Sequence, residues 1–328
     1  MRKGSLTHFV RGFPLLVLTL SEASGACSIP VFRYALEFWP PDSYRLMVPR
    51  GDSTDMEEWL QGFSRVPMNM NLEAKADEGA GSASVVEIHA PGGAGAAPLW
   101  SGPMERADLE RVVHSTARRQ IVDRLFSGQA AVWVLLEGAS PEWNGAIAAL
   151  LESELDRLEG ELTLPVDPAT PDTVAEHPEF SVLRVSRSDP AEDFLVRSLL
   201  ASEEDLDSEE YAGSPMAFPI FGRGRILYAL VGEGITPRNI EEACRFVVGP
   251  CSCQVKDLNP GFDLLLAADW NSAVKTMLEE VEAPSASASG APSPGQGVAL
   301  RTLLLTLAIL SGIVLIGAIF IFQRERAL

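Results

Sequence analysis

The chain has 328 residues, enough for one large domain or two ordinary ones. Hydrophobic residues make up 46% and charged residues 22%, which excludes a largely disordered polymer. With 45 acidic against 26 basic residues the formal charge is −19, a balance that repels phosphate backbones and excludes nucleic acid as the expected partner.

The first elements form a targeting pattern. Arg2, Lys3 and Arg11 give a positive start, an apolar stretch over 13–20 follows, and the small residues Ser24 and Ala26 come next. That succession predicts a secretory signal over 1–26, with an apolar part too short to span a bilayer. Cys27 directly follows the expected cut, a position that suits a lipidated cysteine, although Ser24-Gly25-Ala26 lacks the aliphatic residue usual three before it. Residues 27–128 then read as a smaller N-terminal α/β region. A short helix is expected over 30–39 and a strand over 44–48. A helix over 55–63 follows, capped near Ser53 or Thr54. Strands are expected over 70–74 and 85–89. One long amphipathic helix is expected over 105–126, offering Leu109, Val112, Val113, Ile121, Leu125 and Phe126 to a core.

Residues 129–281 carry the clearer pattern. A continuous apolar run over 131–136 predicts a buried strand, followed by a helix over 141–158, a strand over 180–185 and a helix over 190–200. Strands over 216–221 and 226–231 flank a Gly222-Arg223-Gly224 turn, and Pro237 leads a helix over 239–248. Over about 130–250 this β-α-β-α-β-β-α order resembles a thioredoxin-like fold. Gly213-Ser214-Pro215 before an apolar strand and a glycine turn looks like that family's proline-led hairpin. The resemblance implies that Pro215 matches a proline that is usually cis and faces the active site. Pro219 runs against the pattern, because inside a strand it removes a ladder donor. The family's dithiol chemistry does not carry over. Where its Cys-x-x-Cys belongs, the chain reads Glu137-Gly138-Ala139-Ser140-Pro141-Glu142-Trp143-Asn144, without a thiolate to exchange. The chain also resembles, loosely, exported bacterial proteins that end in a membrane helix. The expected fold class is therefore α/β: a thioredoxin-like domain with a Cys-rich C-terminal extension, preceded by a smaller α/β region, plus one C-terminal transmembrane helix.

Three groups of side chains are candidates for chemistry. Cys244, Cys251 and Cys253 form C-x6-C-x-C. Outside the cytoplasm this reads as structural disulfides or buried thiols, and the open alternatives are a soft-metal site or a redox-active pair. His8, His89, His114 and His177 are scattered, without metal-ligand spacing. The acidic run Glu203, Glu204, Asp205, Asp207, Glu209 and Glu210 lacks the EF-hand pattern and reads as a solvated loop rather than a weak calcium site. Trp143, in the loop that replaces the dithiol motif, and Pro215 are the candidate contact residues. No catalytic residue and no cofactor are expected.

The chain then loses all core-forming composition. Residues 282–298 are an Ala/Ser/Pro/Gly tether. Within the expected membrane helix over 299–322, Thr302 opens and Phe322 closes a continuous uncharged apolar run, about 30 Å long as a helix. Arg324 and Arg326 follow in a short tail, 323–328, and favour a cytoplasmic C-terminus. The expectation is a single-pass cell-membrane protein with its bulk extracytoplasmic. It acts as a non-catalytic, membrane-tethered binding or assembly module with a protein partner at the membrane. The alternative is an extracytoplasmic thiol-redox or soft-metal protein that uses the cysteine cluster.

Overall fold

The computed structural model describes residues 29–49, 71–77, 85–92, 97–103, 112–165, 176–251, 256 and 261–275. All belong to one compact unit that ends at Thr276; Met277–Leu328 lie outside the described residues. In chain order the elements are α1 (Val31–Phe38), β1 (Tyr44–Pro49), β2 (Leu72–Asp77), β3 (Val85–His89), β4 (Trp100–Pro103) and α2 (Thr116–Phe126). Then come β5 (Ala131–Glu137), α3 (Pro141–Glu161), β6 (Phe180–Ser186), α4 (Asp193–Leu200), β7 (Met216–Phe221), β8 (Arg225–Ile226), β9 (Leu230–Val231) and α5 (Pro237–Val248). The helix expected over 55–63 lies outside the described residues.

Two sheets result. The first runs β2-β1-β3-β4, with β1 parallel to β2 and antiparallel to β3. The second runs β6-β5-β7-β8, with β9 also on β7. There β5 is parallel to β6 and antiparallel to β7. Six of the seven residues of β5 are buried, because strands flank it on both edges and helices cover it. Ala131, Trp133 and Leu135 join α1, α3 and α5 in one core through Val31, Ala35, Leu151, Ile240 and Val247. The two-residue period turns Val132, Val134 and Leu136 to the opposite face, and α2 packs against the same sheet. Each such fully buried large side chain contributes roughly 1.5–3 kcal/mol.

The long helix expected over 105–126 is interrupted. Val112 and Val113 are helical, but Ser115 is extended (φ −136°, ψ 166°), and its hydroxyl accepts from Arg118 N to start α2 afresh. A serine that offers an oxygen to the third residue on is a stronger local signal than the apolar period that continues through it. Pro219 is accommodated by a bulge. Ile220 pairs with Ile226 and Ala217 with Leu230, so Phe218 and Pro219 face the three residues 227–229. The single strand expected over 226–231 therefore splits into β8 and β9, a site where a missing ladder donor is tolerated.

The expected fold class needs correction. The described chain is mixed α/β with two sheets, and α1 is part of the core of the second sheet rather than of a separate preceding region. Among the described residues no helix is long and apolar enough to cross a membrane. The longest, α3, has 21 residues but carries Glu152, Glu154, Asp156, Arg157, Glu159 and Glu161. The run between Thr302 and Phe322 lies outside the described residues.

Two devices fasten the chain before β1 to the second sheet. At Gly222 (φ +59°) an added Cβ would stand 2.7 Å from the Ala35 Cβ, and beside it Arg223 Nε donates to Leu36 O at 2.7 Å. The second device is a buried charge cluster. Phe262 and Leu264 pair with the outer edge of β8 through Ile226 N→Phe262 O (3.0 Å) and Leu264 N→Gly224 O (2.9 Å). Between them Asp263, 5% exposed, accepts from Asp42 N at 2.7 Å. Arg225 Nη1 bonds the Asp42 carboxylate, and Lys256 Nζ lies 2.9 Å from its other oxygen.

Two outcomes follow. Gly222→Ala combines a left-handed backbone with the Ala35 contact and lowers the unfolding free energy by about 2 kcal/mol in urea titration. Burial, then the charge of Asp42, raises the Asp263 carboxyl above its ordinary 3.8. The native state then holds a proton there that the unfolded chain has released, so this group's contribution to stability declines as pH rises through that window. In Asp263→Asn the unfolding midpoint, followed from pH 4 upward, therefore declines less steeply than in the wild type.

Candidate functional site

The turn from β5 into α3 is built by its own side chains. Ser140 is the N-cap of α3 (φ −97°, ψ 115°) and its hydroxyl accepts from Trp143 N at 3.2 Å, with Pro141 in the first helical turn and Glu142 facing the positive helix end. Asn144, 5% exposed, closes the loop twice: its Oδ1 accepts from Gly138 N at 2.8 Å and its Nδ2 donates to Gly138 O at 3.0 Å. Buried amides are kept where all such bonds are made.

The turn before β7 meets this loop edge to edge. Ala139 N donates to Gly213 O at 2.9 Å, and a Cβ on Gly138 would stand 2.7 Å from Pro215 N, so only glycine allows the two backbones to approach. Arg187 joins both sides, with Nε donating to Glu137 O (3.1 Å) and Nη2 to Ser214 O (2.9 Å). Burial lowers the pKa of its guanidinium, against the opposite pull of Asp207. Gly232 N donates to Pro215 O at 2.9 Å. The Trp143 ring lies over Gly232, 3.3 Å from where a Cβ would be, and Ser214 Cβ is 3.7 Å from that same point. Trp143 and Ser214 are half-buried, and Pro215 is buried. The fold thus brings the two contact residues expected from sequence, Trp143 and Pro215, into one corner. The Ser214–Pro215 bond is trans, with no cis peptide among the described residues, in contrast to the cis form that the resemblance implied. Arg187 and Asn144, which hold the corner, were not picked out from sequence. Only their partners' backbone atoms, brought together by β5 and β7, reveal their role.

The cysteines are placed elsewhere. Cys244 is a buried free thiol on the inner face of α5, in the core with Trp133. Burial pushes it up to about 12, opposed by the Trp133 indole N–H. At neutral pH it is therefore held as the thiol, which disfavours nucleophilic exchange at this position. Cys251 is buried, and its N–H donates to Ile29 O at 3.0 Å. Cys27 and Cys253 lie outside the described residues. Among the described residues no group of three or more His, Cys, Asp or Glu side chains is arranged to hold a metal ion.

The remaining candidates have local roles. In the acidic run, Glu203 Oε1 accepts from Ala229 N at 2.7 Å, tying that run to the bulge beside β9. His89 Nε2 lies 3.0 Å from Glu87, and His177 Nδ1 lies 2.8 Å from Leu162 O.

Full-length protein treated with iodoacetamide at pH 8 under native conditions retains an unmodified Cys244 in peptide mass analysis, and unfolding in guanidinium makes it reactive. No family model matches the chain, and no curated protein and no solved structure is significantly similar to it.

Proposed function

We propose that the chain is a non-catalytic binding or assembly module whose contact surface is the corner formed by Trp143 and Ser214, backed by the buried Pro215. One observation carries this reading. The first turn of α3, where a dithiol would act, has its polar groups taken up internally by Ser140 and Asn144 and leaves a partly exposed indole above Gly232. A rigid, partly exposed tryptophan beside closely packed backbone is the kind of anchor that dominates protein contacts. It loses little conformational freedom on binding, because its backbone and neighbours are already held.

The element order β5-α3-β6-α4-β7-β8-α5 is the one on which the thioredoxin-like resemblance of residues 130–250 rests, and the thiol-free loop makes this a copy without dithiol exchange. The placement at a membrane, with the bulk extracytoplasmic, rests on the signal pattern over 1–26, on the apolar run between Thr302 and Phe322, and on Arg324 and Arg326 beyond it. A tethered module searches a thin layer beside the bilayer, which raises the effective concentration of a partner held in the same membrane.

Incorporation of a benzophenone amino acid at the exposed position of Glu142, in the full chain in cells, gives a discrete cross-linked species. Trp143→Ala lowers its yield several-fold, and the purified full chain does not reduce insulin disulfides. Insulin reduction above background, or cross-linking indifferent to Trp143→Ala, removes the proposal.

A further inference from the structure

The approach to α1 and the exit from α5 run antiparallel to each other. Pro30 pairs with Pro250 as an isolated bridge. On one side of it Val31 N donates to Gly249 O at 2.9 Å, and on the other Cys251 N donates to Ile29 O at 3.0 Å. This short ladder is set in the core. Val31 is 2%, Val248 5% and Cys251 7% exposed, and all three belong to the cluster around Trp133. Gly249 is already extended (φ −66°, ψ 166°), so the chain leaves α5 directly as a strand.

The two prolines lock the register. Opposite residues in an antiparallel ladder alternate between pairs that exchange backbone hydrogen bonds and pairs that do not. Pro30 and Pro250 form a pair of the second kind, where a missing N–H costs the ladder nothing. A slip of one residue in either direction brings one proline into a bonded pair, where it has no N–H to donate.

In that register Ile29 faces Cys251, and two residues further out on each strand Cys27 faces Cys253. Both of these cysteines lie outside the described residues. Their pair is again of the bonded kind, with a Cα separation of about 5.5 Å. That falls within the window of about 4.4–6.8 Å that a disulfide spans. The other pairings fit less well. Cys251 and Cys27 are diagonal neighbours, roughly 7–8 Å apart. Cys251 and Cys253 share one strand, where side chains two residues apart stand side by side rather than facing. Cys244 lies on the inner face of α5 with Trp133.

We infer that Cys27 and Cys253 form a disulfide across this ladder, clamping the start of the exported chain to the end of α5. One thiolate attacks a small disulfide such as oxidised glutathione, and the second thiolate displaces it from the mixed disulfide. The bridge forms as two protons and two electrons pass to the oxidant, which leaves as two thiols. Formation in cells rests on the extracytoplasmic placement proposed above, because the cytosol keeps thiols reduced. The bond ties down a chain terminus and closes a loop that spans most of the folded unit, the kind of closure that constrains the unfolded chain most.

The test is peptide mapping of the full chain, isolated from cells and alkylated under denaturing, non-reducing conditions. A second sample is reduced and then reoxidised in a glutathione buffer. Fragmentation of the linked peptides joins Cys27 to Cys253, while Cys244 and Cys251 are recovered alkylated. Cys27→Ser, Cys253→Ser and the double variant lower the urea midpoint by the same amount, since each removes the same bond. Reductant lowers the wild-type midpoint equally and leaves the variants unmoved. A bridge to Cys251 or Cys244, no bridge after glutathione oxidation, or a diacylglyceryl mass on Cys27 overturns the inference. A Cys27–Cys253 bridge that glutathione forms but cells do not supports the pairing and removes the extracytoplasmic placement instead.

Discussion

The structure depends on burying both faces of one strand. β5 has no polar face: Trp133, Leu135 and Ala131 enter the core with α1, α3 and α5, and Val132, Val134 and Leu136 turn the other way. Such a strand is stable only with neighbours on both edges and layers above and below. β6 and β7 supply the edges. α1, from the chain ahead of the first sheet, supplies part of a layer, with Val31 N bonded to Gly249 O at 2.9 Å. The demand of β5 for cover is thus what draws the N-terminal segment onto the second sheet.

The candidate corner inherits its rigidity from that arrangement. The C-terminal end of β5 and the start of antiparallel β7 must lie side by side, so residues 138–140 and 213–215 are pressed together whatever their side chains do. Glycine at 138 removes a side chain that would hold the loops apart, and glycine at 232 (φ +52°) admits the Trp143 ring close to its backbone. Arg187 and Asn144 then satisfy the carbonyls and amide left at the junction. In that junction the Trp143 ring lies against Gly232.

Charge in this protein is used at long sequence range. Asp42, Arg225, Lys256 and Asp263 come from four separate stretches and meet beside β8, where residues 262–264 also cover an edge that would otherwise expose unpaired backbone groups. The cluster is not simply stabilising. Asp263 is desolvated, which opposes its ionisation even with two cations near, so the cluster specifies where residues 262–264 lie at some energetic cost. Arg118 shows the same economy on α2, a buried cation held by neutral oxygens and an aromatic face.

Local pattern alone determined a good deal. The apolar run at 131–136, the Pro237 start of α5, the alternation at 85–89 and the absence of a thiol before α3 are all properties of neighbouring residues, and neighbours decide element type. Tertiary structure decided the rest. The apolar period running from 105 to 126 does not register that Ser115 will be turned out of the helix to cap α2. A proline in a strand does not announce whether it meets an edge or a bulge, which at Pro219 depends on residues 227–229 across the ladder. That Cys244 lies in the core against Trp133 is visible only once α5 is placed. Asp42 and Asp263, or Arg118 and Leu265, are more than a hundred residues apart, so their meeting is a consequence of chain packing and leaves no mark on local sequence.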